Sequence, residues 1–338
     1  MQKRDSTLDL IAASGLGVIS FIALATLILL NSRGQGDQST QSTNINNLSP
    51  SVEITSVIVN SVALSESTKN TDCSIDSCVN LIEGSTSIPV VIWGTATDPN
   101  GYKDISDADG PSGKWTAKLF RSDLDSNCGG SAITNGDCVD FIEHDNDIIE
   151  NSDSDVEFLF TSTVPYYMTP TDEDTPTYSV LNWIAYVMVE DVNSRPGAAS
   201  DTFEFEVNTL IALRVESKNA QYTKINVGEK YSETVISIAN KGNRDIDYYI
   251  KSGGPTPDIW KCDKGTFPIS ALKYSTKNTH NYNDGMTALT SSSKKVDANI
   301  PKGSHNNTGN LYGMLQIPSG PIGGTCTAQI VFTAVAGN

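Results

Sequence analysis

Five side-chain oxygen donors fall within one short stretch of the chain: Asp98, Asn100, Asp104, Asp107 and Asp109. Carboxylates and carboxamides at this density suit a hard cation. Calcium takes about six to eight oxygen ligands, some of them backbone carbonyls turned inward by a bend. Gly101 and Gly110 permit such bends. The order is not that of an EF-hand, because Ile105 stands where its first aspartate should be. Asp191 and Asn193 follow a long apolar run and would reach the same end of a sandwich. The opposing expectation is a solvated loop whose Asp and Asn side chains hydrogen-bond their own turns. The acidic stretch 137–157 and Asp172-Glu173-Asp174 carry similar donors less compactly.

The six cysteines group as Cys73 with Cys78, Cys128 with Cys138, and Cys262 with Cys326. An even count in this grouping predicts three disulfides between neighbours in an oxidising compartment, although six cysteines allow many other connectivities. Zinc is disfavoured: the spacings are not C-x-x-C, and His144, His280 and His305 are far apart. Asn47 and Asn306 each open an N-glycosylation sequon. No nucleophile elbow, metalloprotease helix, phosphate loop or dinucleotide fingerprint occurs, so no catalytic residue is assigned and no enzyme is expected. Ser291 and Lys294 match S-x-x-K without its companion motifs. His144 lies among Glu143, Asp145 and Asp147, but a triad needs groups that the fold brings together.

The elements that carry these residues begin with an uncharged run, Leu10 to Leu30, of 21 residues. About 20 apolar residues cross a bilayer as a helix. Lys3 and Arg4 before the run place the N-terminus inside, so everything after Arg33 is outside. Residues 1–33 therefore read as a membrane anchor or signal segment, and 34–51 as a polar, flexible linker. The net charge of -17 repels phosphate backbones, which excludes nucleic acid as a partner.

From Val52 onward no helical periodicity appears. Short β-branched and aromatic runs alternate with turn clusters, which predicts an all-β chain of sandwiches. Expected strands include 53–64, 88–97, 115–121, 156–162, 179–190 and 202–207, then 212–217, 233–240, 247–252, 295–300, 311–318 and 326–335. Asn240 to Arg244 reads as a turn whose Gly242 takes a positive φ. A short link near 208–211 divides one sandwich, 52–209, from a second, 210–338. Trp93, Trp115, Trp183 and Trp260 are expected in the cores, with a carbohydrate-stacking platform as the minority reading. Tyr166-Tyr167 and Tyr248-Tyr249 should each place one ring outward.

The stretch EGSTSIPVVIWGTATDPNGYKDI (83–105) resembles a segment of Ig-like β-sandwich surface proteins of uncultivated, candidate-phylum bacteria and archaea. DTFEFEVNTLIAL (201–213), VISIANKGNRDIDYYIKSGG (235–254), FPISALKYS (267–275) and YGMLQIPSGPIGGTCTAQIVFTAV (312–335) are similar in the same order. At Tyr102 the chain departs from the pattern, where relatives often carry cysteine. The resemblance implies two Ig-like antiparallel sandwiches in tandem after the transmembrane helix and linker, displayed on the cell envelope with no assigned activity. The function expected is structural or adhesive, with the membrane as one partner and an unknown surface protein, glycan or further copy as another. The alternatives are a pilin-like filament subunit, in which Asp5 or Asp9 would pair with a neighbour's amine, and a secreted glycan-binding module.

Overall fold

The computed structural model of the protein describes residues 48–64, 78–105, 114–128, 130–141, 148–172, 174–175, 177–191, 198–217, 227–228 and 234–337. The expected membrane segment and nearly all of the linker lie outside these residues. No helix among the described residues is long and apolar enough to cross a membrane.

The first ten strands are β1 (Ser51–Val59), β2 (Val62–Ala63), β3 (Cys78–Val79), β4 (Ile88–Thr97), β5 (Lys114–Arg121), β6 (Cys138–Phe141), β7 (Ile148–Glu150), β8 (Asp155–Val164), β9 (Trp183–Glu190) and β10 (Ala198–Val207). They form two five-stranded sheets in the orders β2-β1-β4-β8-β7 and β3-β10-β9-β5-β6. Side chains alternate across a strand. Ile88, Val90, Ile92 and Ala96 of β4 therefore point inward with Val156, Phe158 and Phe160 of β8. Trp115, Leu119, Trp183 and Val187 of the other sheet meet them, and the Trp115 ring lies 5.5 Å from that of Phe158. Two sheets sharing one core make a β-sandwich.

The remaining strands are β11 (Leu213–Val215), β12 (Thr234–Asn240), β13 (Ile246–Gly253), β14 (Ile259–Lys264), β15 (Thr266–Pro268), β16 (Leu272–Ser275), β17 (Thr287–Ala288), β18 (Lys294–Ile300), β19 (Thr308–Leu315), β20 (Gly323–Thr327) and β21 (Gln329–Ala336). Their sheets run β11-β12-β19-β16-β17, β18-β13-β21 and β15-β14-β20. A second core gathers Ile238, Tyr248, Ile250, Phe267, Leu272 and Leu311 from all three.

Several sequence expectations are corrected. The expected strand 53–64 breaks into a hairpin because Asn60 and Ser61 both take positive φ, as a two-residue type I′ turn requires. The run 326–335 divides at Ala328: β20 pairs with β14, whereas β21 pairs with β13. The segment 179–182 is turn and irregular chain rather than strand. Asn240 to Arg244 links strands of different sheets, and Gly242 is not among the positive-φ residues. Glycine is needed there because a Cβ would lie 2.1 Å from the Leu210 carbonyl oxygen. Trp93 is 38% exposed, whereas Trp115, Trp183 and Trp260 are buried. Its position on β4 alternates with Ile92 and so faces outward, beside exposed Leu159 of β8.

Candidate metal centre

The donor-rich loop starts where β4 ends. Asp98 directly follows Thr97, and its backbone N–H bonds the Ser154 carbonyl at 2.8 Å, which continues the ladder by one residue. The chain then bends. Gly101, at φ 121, donates to the Asp98 carbonyl, and Tyr102 donates to Asp153. A single 3-10 turn follows, Tyr102–Asp104. Ile105 closes it by entering the first core at 0% exposure, and the Trp115 indole N–H holds the Ile105 carbonyl at 2.7 Å. Asp104 is thus fixed by an apolar plug next to it in sequence and a strand of the opposite sheet.

Asp191 directly follows β9, in that same opposite sheet. One carboxylate oxygen each from Asp98, Asp104 and Asp191 lies within 4.8 Å of the others. Asp98 is wholly buried and Asp191 nearly so, while Asp104 is half-buried. Asp98 Oδ1 accepts the Asn100 backbone N–H at 2.7 Å, but Asp98 Oδ2 is buried and has no hydrogen-bond partner among the described residues. Burial pushes the Asp98 carboxyl up, and the nearby charges of Asp191 and Asp104 push the same way against the Asn100 hydrogen bond. The arrangement concentrates anionic oxygen at one end of the sandwich, between its two sheets.

Of the five residues in the expected cation loop, the structure brings Asp98 and Asp104 together. Asn100 serves differently: its backbone N–H braces Asp98 and its Nδ2 bonds the Leu48 carbonyl at 2.8 Å. Asp107 and Asp109 lie outside the described residues, as does Asn193. Asp172 is instead a backbone brace. Its carboxylate accepts the Thr209 N–H and hydroxyl, which ties the link after β10. The residues around His144 are also outside the described set.

Cys128–Cys138 and Cys262–Cys326 are disulfides, and Cys78 is also disulfide-bonded, with Cys73 outside the described residues. These bonds belong to an oxidising compartment, periplasmic or extracellular. Asn306 is exposed on the turn before β19, and Asn47 lies outside the described residues.

The two β-bodies meet through a buried polar joint. Asn243, wholly buried, accepts the Leu210 N–H at 2.7 Å and donates to the Asn208 carbonyl at 2.9 Å. Tyr166 bonds Asn307 and Gly303, and Arg244 reaches the Asp174 carbonyl. Lys302 bonds Thr169 Oγ1 and sits 3.9 Å from Asp137. Burial pushes the Lys302 ammonium down to about 8, against the attraction of Asp137. Sequence reading noted Tyr166 only as one of a pair with an outward ring and took Asn243 and Arg244 for an ordinary turn, and Lys302 and Asn307 carry no local signal of a joint.

No family model and no curated protein matches the chain. Among solved structures, it is similar to a chaperone-tip adhesin complex of CFA/I fimbriae, at TM-score 0.31 and 10% identity over 86% of this chain and 91% of that one. The CsuC-CsuE chaperone-tip adhesion subunit complex of archaic chaperone-usher Csu pili from Acinetobacter baumannii gives 0.30 and 13% over 76% and 88%. The secreted serine protease VesC from Vibrio cholerae gives 0.16 and 8% over 77% and 50%. Likeness of this degree carries neither fold nor activity from one chain to another.

Proposed function

We propose that the chain is an exported structural or adhesive protein of the cell envelope, held by its N-terminal segment and displaying two Ig-like modules as one rigid body. The observation that supports this best is the joint. A flexible tether between modules needs no buried hydrogen bonds, whereas here Asn243 bonds Asn208, and Asn240 and Asn307 bond Tyr166, all of them buried apart from Asn208. Leaving such groups unpaired costs about 1–3 kcal/mol each, so the two bodies hold one orientation. The disulfides and the acidic, sparsely charged surface suit a protein working outside the cytoplasm. Surface labelling of intact cells with a membrane-impermeant reagent tests the display. Labelling only after lysis sinks it.

One observation favours a second reading, a self-associating filament subunit. Within the sheet β18-β13-β21, the β18 edge carries Lys294, Lys295 and Asp297 and a register shift, devices that discourage strand addition. The β21 edge, QIVFTAVA, carries no charge and pairs with β13 in unbroken register. Sedimentation of the full chain in detergent over a range of concentrations separates the readings, because a monomer throughout removes the second.

A further inference from the structure

We propose that Asp98, Asp104 and Asp191 are ligands of one calcium ion, which ties the end of β4 to the end of β9 across the sandwich. Three observations converge on this. First, the oxygens are mutually within 4.8 Å. Oxygens bound to one calcium at about 2.3–2.6 Å lie no more than about 5 Å apart, so a single ion can touch all three. Second, Asp98 Oδ2 is buried and accepts no hydrogen bond from any described residue, although its sister oxygen is engaged at 2.7 Å. A buried carboxylate oxygen without a partner is costly, and a cation bound beside it removes that cost. Third, the donors are all carboxylates, with no nitrogen or sulfur, which selects a hard cation over zinc or copper.

The site is also built rather than accidental. Asp98 is held by the β8 side of its own sheet through Ser154, and Asp104 is placed by the Ile105 plug and Trp115. Asp191 arrives from the strand next to β5 in the other sheet. Three oxygens leave room for waters and backbone carbonyls in a shell of about six to eight. The ion would replace mutual repulsion by attraction and fasten the loop end of the first sandwich. On the export reading above, calcium is plentiful at the site, so an affinity of about 10⁻⁴–10⁻³ M would keep it filled.

The test uses the full chain in detergent, stripped of metal and titrated with calcium chloride in a calorimeter. One calcium per chain is expected at this site. The thermal midpoint should rise by roughly 3–8 °C at about ten to a hundred times the dissociation constant. Asp98→Asn and Asp191→Asn should each weaken binding roughly tenfold or more, without lowering the metal-free midpoint, because each removes a repelling charge. Asp297→Asn, in the other β-body, should respond as the wild type does. No heat and no midpoint shift with calcium overturns the proposal, as does a calcium response that survives both Asp98→Asn and Asp191→Asn. A shift with magnesium chloride but none with calcium overturns the assignment of the ion. None of these outcomes depends on where the cell displays the protein.

Discussion

Asn307 Nδ2 donates to the Tyr166 hydroxyl at 2.8 Å, and that hydroxyl donates in turn to the Gly303 carbonyl at 2.9 Å, so one phenol stitches the first β-body to the loop before β19. Tyr166 is 2% exposed and Asn307 8%, and Asn307 Nδ2 also bonds the Asn240 carbonyl at 2.9 Å. Tyr166→Phe keeps the ring and removes the oxygen. It leaves the Gly303 carbonyl short of a donor inside the joint, and a loss of about 1–3 kcal/mol is expected. Urea unfolding of the variant measures it. Stability equal to wild type would show that water replaces the hydroxyl and that the joint does not depend on it.

Glycine substitutions should sort by space rather than by loop. A Cβ on Gly94 would meet the Glu53 carbonyl at 2.1 Å and the Phe158 ring at 2.4 Å, and one on Gly242 would meet the Leu210 carbonyl at 2.1 Å. Gly94→Ala and Gly242→Ala should each destabilise by about 2–4 kcal/mol, because backbone must move. Gly323 has no described residue within 4 Å of such a Cβ and no positive φ, so Gly323→Ala should stay within about 0.5 kcal/mol of wild type. Thermal melts of the three variants give the order directly.

Cys262 and Cys326 face each other across β14 and β20, closing a loop of 64 residues. On the chain-entropy view this crosslink stabilises by about 4 kcal/mol, and the Cys128–Cys138 bond, spanning 10 residues, by about 3 kcal/mol. Replacing Cys262 and Cys326 together by alanine should therefore lower the unfolding free energy more than replacing Cys128 and Cys138. Denaturation of both double variants compares them, and the reverse order would mean that strain or residual unfolded structure outweighs loop length.

Asp247 supplies a pH dependence of known sign. Burial alone would push its carboxyl up. The Asn299 N–H at 2.9 Å and the Lys295 ammonium at 2.9 Å outweigh that and hold it below the usual carboxylate range. An unfolded aspartate titrates near about 3.9. Between that value and the lower folded one, the unfolded chain binds more protons, so stability falls as pH drops through this window. Asp247→Asn should accordingly be less stable than wild type at pH about 7, and the difference should shrink below pH about 4. Urea unfolding of both chains across that range reads the gap. A gap that stays constant to pH about 2 would remove Asp247 from the acid response.

Local pattern carried much of this protein. The β-branched, apolar run IPVVIWGTAT placed β4 from Ile88 to Thr97, and WIAYVMVE, apolar on both faces, gave a strand that sits at the centre of its sheet, since a strand flanked on both sides and largely shielded on both faces favours apolar residues throughout. Cysteine grouping gave the Cys128–Cys138 and Cys262–Cys326 bonds, because neighbours in one small β-body have few other partners. The donors Asp98 and Asp104 were visible as residues close in sequence, and Asp191 as one beyond a strand.

Tertiary structure decided what local pattern leaves open. Whether Asp191 meets Asp98 depends on which ends of β4 and β9 coincide when two sheets stack, and that is set by pairings between residues far apart in the chain. Trp93 has the same apolar ring as Trp115 and differs only in which face of its sheet is covered. Gly242 and Asn243 read as a turn, yet one is required by the approach of Leu210 and the other replaces backbone partners across the joint. Propensity and periodicity act within a few residues, whereas burial, close approach and the gathering of like charges are properties of surfaces that exist only after the sheets have packed.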